Sequence, residues 1–339
     1  MSSGSVRPKL VAAVSIAVVA VVAVVALTFV LLRGSPAASV NSANGSVTNP
    51  SSNSTTIGNG TGLTTPPPSL TGGGVLLALG DSVAFGYQPG EAFLAHSLGA
   101  SVFTSYANYV AQWDHLQLIN LACPGETAAS MINPSARSAG CENHQVQVPG
   151  TNVFNNVPVG YRTSGKLHYS YTGSQLSEAI NILKTKNVRL ITLDIGANDV
   201  LLCQREQHGC TSPSVVAALT AQYSANLRTI ISSILATGYK GSFVVLNYYA
   251  FNYHSTENAE VVYFDNIIDN IVNSYPGLTL VSGYDAFKAA TASSGGRACV
   301  AKLLAVAVGA TGPDQCDIHP STLGQQVLAN AIETTLSAK

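Results

Sequence analysis

Leu10 to Leu32 is a run of 23 residues without a charge, preceded by Arg7 and Lys9 and followed by Arg33. A helix needs about 20 apolar residues to cross a bilayer, and the run is longer than the roughly 7–15 residues of a signal-peptide core, so residues 10–32 are expected to form a transmembrane signal anchor. The basic residues on the short N-terminal side predict that residues 1–9 stay in the cytoplasm and that everything after Arg33 is exported. Pro36-Ala37-Ala38 is a small-residue cleavage site, which leaves open a cleaved signal peptide and a secreted product. Residues 33–74 are rich in Ser, Thr, Asn, Gly and Pro, with almost nothing apolar to bury, and are expected to be a disordered linker.

From residue 75 the pattern changes to short apolar runs alternating with helical periods. Val75–Leu79, Leu116–Leu121, Arg189–Ile195, Ser242–Asn247 and Leu278–Val281 are near-continuous apolar runs, the pattern of strands buried on both faces of a parallel sheet. Helices are predicted at Tyr106–Trp113, Ser174–Lys186, Ala259–Ser274 and Thr322–Leu336. The best defined opens with Ser212 as cap and Pro213 in its first turn, carries Val216, Leu219, Tyr223, Leu227, Ile230 and Ile234 on one face, and stops at Gly238. Ala259–Ser274 is expected to turn Val262, Ile267 and Ile271 inward. Strands alternating with helices imply one α/β domain, residues 75–339, with right-handed crossovers and a central parallel sheet. Met131–Gly173 fits neither period and is expected to form part of a substrate wall.

Composition narrows the functional classes. Hydrophobic residues make up 46% of the chain and charged residues 10%, with 16 Lys+Arg against 17 Asp+Glu, so no basic excess points to nucleic acid. Six cysteines in an exported chain predict disulfides, and nearest-neighbour pairing would join Cys123 to Cys141, Cys203 to Cys210 and Cys299 to Cys316.

Three glycine-bearing loops directly follow predicted strands, and in a parallel sheet all three leave the same edge. The first is Gly80-Asp81-Ser82-Val83, where Ser82 is the candidate nucleophile. The second is Ala122-Cys123-Pro124-Gly125-Glu126-Thr127, where Gly125 lacks a Cβ and can bring its N–H close to a substrate oxygen. The third is Gly196-Ala197-Asn198-Asp199, where the Asn198 amide is a donor. With the Ser82 N–H, these two groups can form an oxyanion hole. Each loop alone reads as an ordinary turn or helix cap; their convergence is the signal. His319, in Cys316-Asp317-Ile318-His319-Pro320 just before the last helix, is the candidate base. The other six histidines, at 96, 115, 144, 168, 208 and 254, are expected to have surface roles. Asp81, Asp199 and Asp194 are expected to hold backbone N–H groups and not to react.

Taken in order, Gly80-Asp81-Ser82-Val83, Gly125, Gly196-Ala197-Asn198-Asp199 and Asp317-Ile318-His319-Pro320 resemble the four blocks of the GDSL/SGNH hydrolases. The resemblance implies a three-layer α/β/α, flavodoxin-like fold, with Ser82 as nucleophile, Gly125 and Asn198 as oxyanion donors and His319 as base. It also implies ester hydrolysis through an acyl-enzyme, with no metal or organic cofactor. The chain has no Gly-x-Ser-x-Gly elbow, which disfavours an α/β-hydrolase. The family usually places its acid three residues before the histidine, a position held here by Cys316. Asp317 is then the favoured acid, with Asp314 or a backbone carbonyl as the alternative. The resulting expectation is an extracellular serine esterase or lipase-like enzyme, tethered to the membrane through its N-terminal helix. A carbohydrate O-acetylesterase is the narrower alternative, and a surface binding protein that has lost its chemistry is the alternative from another class.

Overall fold

A computed structural model describes residues 73–339 except Gly150, Asn152, Gly165, Glu257, Pro313 and Asp314. The expected anchor at 10–32, the linker up to residue 72 and Asp314 therefore lie outside the described residues, among which no helix is long and apolar enough to cross a membrane. In chain order the elements are β1 (Val75–Gly80), α1 (Ser82–Phe85), α2 (Ala92–Leu98), α3 (Tyr106–Trp113), β2 (Gln117–Asn120) and α4 (Ala128–Ile132). Next come β3 (His144–Gln147), β4 (Phe154–Val157), α5 (Gln175–Thr185), β5 (Val188–Asp194), α6 (Ala197–Glu206) and α7 (Pro213–Leu235). The chain ends with β6 (Ser242–Leu246), α8 (Asn258–Asn273), β7 (Leu278–Val281), α9 (Gly283–Ala290), β8 (Leu304–Val306), β9 (Cys316–Pro320) and α10 (Thr322–Ser337).

The five predicted strands form one parallel sheet in the order β2-β1-β5-β6-β7. Leu76 pairs with Leu118 on one side and Leu190 on the other, and every residue of β1 is buried, as a central strand covered on both faces requires. Helices pack in two groups, α3, α9 and α10 in one and α4, α5, α7 and α8 in the other. The chain moves from β1 outward to β2, then returns to the far side of β1 to place β5. That reversal puts a topological switch point at the carboxyl end of β1, where open α/β sheets form their crevice.

Local chemistry sets the helix ends. Ser174 caps α5 by accepting from the Ser177 N–H at 3.1 Å, Ser321 caps α10 by accepting from the Gly324 N–H at 3.2 Å, and Pro213 occupies the first turn of α7. On α7, Val216, Tyr223, Leu227, Ile230 and Ile234 are buried, and Leu219 packs at the core margin. On α8 the expectation holds for Ile271, which is buried, and for Ile267, which packs half-buried against the core, but not for Val262, which is exposed; Phe264, Ile268 and Val272 complete the inward face. Apolar residues surround that helix, so sequence spacing alone did not choose the face.

Four elements depart from the sequence reading. The irregular stretch 131–173 contains the antiparallel hairpin β3–β4, with His144 opposite Val157. His319 lies on a strand, β9, paired antiparallel with β8. Gly283–Ala290 is helical, and Gly196-Ala197-Asn198-Asp199 is the start of α6 instead of a free loop.

Candidate active site

The turn after β1 is built from residues that tolerate its geometry. Gly80 has φ +134, and a Cβ there would lie 1.9 Å from the Asp194 carbonyl oxygen, so only glycine lets β1 and β5 run this close. The Asp81 N–H donates to that carbonyl at 3.2 Å, while Asp81 Oδ1 caps α1 by accepting from the Val83 N–H at 2.9 Å. Ser82, the first residue of α1, is thereby held at the switch point.

His319 Nε2 lies 3.0 Å from Ser82 Oγ, and His319 Nδ1 is hydrogen-bonded to Asp317 Oδ1, which also accepts from the His319 N–H at 3.1 Å. With Nδ1–H directed at the carboxylate, Nε2 presents its lone pair to the serine hydroxyl. Burial alone would raise the Asp317 carboxyl, but the hydrogen bonds and charge of His319 outweigh it and hold the group below the ordinary carboxylate range. The Tyr87 ring meets the imidazole edge-on at a centroid distance of 4.8 Å.

Ser82, Gly125, Asn198 and His319 all line one cavity of about 640 Å³. Its walls include Tyr87, Tyr161, Val200, Leu201, Tyr249 and Phe251, which make it largely apolar. The stretch 131–173 contributes Ala139, Gly140, His144 and Val159 to Tyr161. Gly125 has φ +82, and a Cβ there would come within 2.5–2.7 Å of the Ala139–Gly140 backbone. What requires glycine here is thus the wall formed by Ala139 and Gly140. Cys123 is joined to Cys141 beside the same contact, Cys203 to Cys210 after α6, and Cys299 to the first residue of β9, Cys316. Cys123, Glu126 and Cys141 cluster closely, but the disulfide removes the two thiolates that a metal would need.

Buried side chains tie the three glycine-bearing segments together. Asp199 Oδ2 accepts from the Ala128 N–H at 2.9 Å, linking α6 to α4. Gln175 grips Gly80 through both its backbone groups, at 2.7 and 3.0 Å, and donates to Glu126 Oε2 at 3.1 Å, linking the first segment to the second. Burial pushes the carboxyls of Asp81, Asp199 and Glu126 up to about 6, 7 and 8 respectively. Asp194 is pushed well up by burial and by the nearby Asp81 charge, against the opposing pull of Tyr106 and of the Asp81 and Ala84 N–H groups, and its main-chain carbonyl also accepts from the Asp81 N–H.

Two histidines depart from the expected surface role. His168 Nε2 lies 3.0 Å from the Phe85 carbonyl oxygen, and burial lowers its pKa. His144 lines the cavity, with Nδ1 2.8 Å from the Val159 carbonyl oxygen. Gln175 was missed because a helix N-terminal glutamine has no distinctive pattern. Tyr248 and Tyr249 had a usable signal: they follow β6, a fourth strand ending at the same edge.

A parallel sheet with a serine, a histidine and an aspartate gathered at its carboxyl edge delimits a class of hydrolases, and comparison with known proteins specifies the group. The family model described as GDSL-like Lipase/Acylhydrolase matches residues 76–332, and the chain belongs to that family of ester hydrolases. Solved structures similar to it include Axe2, an acetylxylan esterase from Geobacillus stearothermophilus, at 15% identity and a TM-score of 0.45, covering 79% of this chain and 96% of that one. The lipase Lip_vut3 from a goat rumen metagenome is similar at 14% identity and a TM-score of 0.47, covering 77% and 96%. No curated protein matches the sequence.

Proposed function

We propose that the chain is an exported serine esterase that cleaves carboxylic esters with an apolar acyl group of several carbons. The observation that carries this reading is the hydrogen-bonded line from Asp317 through His319 to Ser82 Oγ on the lining of a largely apolar cavity. Ser82 Oγ attacks the ester carbonyl while His319 Nε2 takes its proton. The oxyanion is held by the Ser82 and Gly125 N–H groups and the Asn198 amide. Collapse breaks the bond to the alcohol, which leaves with the proton from His319. Water, deprotonated by the same nitrogen, then releases the acid and restores the serine. Asp317 holds the imidazole tautomer. The charge-free run at 10–32, its basic N-terminal flank and the three disulfides support a domain, residues 75–339, displayed outside the cell on a linker and an anchor.

A cavity of about 640 Å³ is far larger than an acetyl group needs and falls in the range of pockets that enclose drug-sized ligands. Each methylene buried contributes about 0.8 kcal/mol. Going from acetate to butyrate, two methylenes, should therefore raise kcat/KM on p-nitrophenyl esters about 15-fold. Ser82→Ala should abolish turnover. A profile that peaks at acetate, with turnover of acetylated glycans, would support the O-acetylesterase reading instead. Failure of a fluorophosphonate to label Ser82, with no ester turned over, would leave the binding-protein reading.

A further inference from the structure

The segment Asn247-Tyr248-Tyr249 leaves the carboxyl end of β6 beside the site, and its two hydroxyls reach different partners. Tyr248 Oη donates to Asp81 Oδ2 at 2.8 Å and accepts from the Ala197 N–H at 3.1 Å. Tyr249 Oη donates to the Ile318 carbonyl at 2.8 Å. One hydroxyl therefore joins the residue before Ser82 to the residue before Asn198. The other holds the residue between Asp317 and His319. Both tyrosines line the cavity.

The pair is itself fixed from outside the site. The Tyr248 N–H donates to Asp265 Oδ1 at 2.9 Å, Asn247 Nδ2 donates to Asp269 at 3.1 Å, and the Tyr249 ring stacks on Phe287 at 4.3 Å between centroids. The hydroxyls thus stand on a base anchored by α8 and α9, which contribute none of the proposed reacting groups. Such an anchor can set distances between segments that are remote in sequence.

We infer that Tyr248 and Tyr249 are positioning residues that hold the nucleophile, the oxyanion donor and the base in register, an inference that rests on the roles proposed above for Ser82, Asn198 and His319. Tyr248 acts through Asp81 and Ala197, and Tyr249 through the main chain of β9. Phenylalanine at either position keeps the ring and removes the strut alone. At Tyr248 it leaves a buried carboxylate oxygen and a backbone N–H each short of a partner. Misplacement of a catalytic group by about 1 Å can cost about a hundredfold in rate.

The test uses the full chain with p-nitrophenyl butyrate, with the number of competent sites counted by fluorophosphonate labelling. Tyr248→Phe should lower kcat per labelled site about 10–100-fold and Tyr249→Phe about tenfold, with KM within about threefold of wild type in each. The second-order rate of labelling should fall in parallel, because it draws on the same nucleophile and base. Unchanged kcat per labelled site in either folded variant overturns the proposal, whatever happens to melting temperature. So does a rise in KM at constant kcat, which would make the tyrosines cavity wall only. If Tyr248→Phe does not fold, Tyr249→Phe decides. Failure of the serine reading is visible separately, in a wild-type chain that neither labels nor turns over.

Discussion

Replacing Glu126 by glutamine should remove a pH dependence of stability that the fold imposes on itself. Glu126 is fully buried next to Gly125, and burial, reinforced by the Glu142 charge, pushes its carboxyl up to about 8 against the opposing pull of Ser130, Gln175 and Arg162. In the unfolded chain the group ionises near its ordinary value of about 4.3. Between these values the folded state keeps a proton that the unfolded state has released. The resulting stability is complete below the unfolded value and is lost as pH rises through about 8. Within that window the loss is about 1.4 kcal/mol per pH unit, or about 3 kcal/mol from pH 5 to pH 7. Glutamine cannot titrate and can still accept from Gln175, which donates to Oε2 at 3.1 Å. Asp81, Asp199 and Asp265 are also raised by burial, and their contributions cancel when the two chains are compared. Urea unfolding with disulfides intact, at pH 5 and pH 7, should therefore show the wild type losing about 3 kcal/mol more than Glu126→Gln over that interval. Equal losses in both chains would refute the reasoning, because Glu126 would then ionise alike in the folded and unfolded states.

Asp317→Asn should lower kcat by about 10²–10⁴ with little change in KM, since the amide no longer fixes the imidazole tautomer; undiminished kcat on p-nitrophenyl butyrate would move the orienting role to Asp314 or a carbonyl. Gly125→Ala should destabilise the domain by about 2–4 kcal/mol and depress turnover, because its Cβ would press on the Ala139–Gly140 backbone at a positive φ. A wild-type melting temperature and kcat in that variant would show that the wall yields freely.

The sheet was legible because its three central strands, β1, β5 and β6, are largely buried on both faces, which leaves near-continuous apolar runs bounded by glycine and polar residues. The helix from Pro213 was legible for the same reason in a 3.6-residue period. The β3–β4 hairpin was not, since His144–Gln147 and Phe154–Val157 are short, half exposed and mostly polar, with little for alternation to reveal. The three glycine-bearing segments of the site could be read from the chain because each follows a strand, yet the ties between them could not. Gln175 is 95 residues from Gly80, and Tyr248 is 167 from Asp81. Nothing local in a helix-opening glutamine or a tyrosine after a strand records such a partner.

The spacing of the proposed acid and base follows from the element that carries them. Asp317 and His319 are two residues apart on β9, and side chains two apart on a strand share a face, so the carboxylate reaches the imidazole without bending the chain. A residue three before the histidine points to the opposite face. That position is Cys316, whose disulfide to Cys299 instead fastens the start of β9 to the segment leading into β8. Pairing with β8 at Leu304 and Val306 holds the strand from its edge, and the Tyr249 hydroxyl holds it from within at Ile318. The departure from the usual family spacing is therefore coherent. With the histidine on a disulfide-pinned strand, the position two before it is the one that can carry the proposed acid.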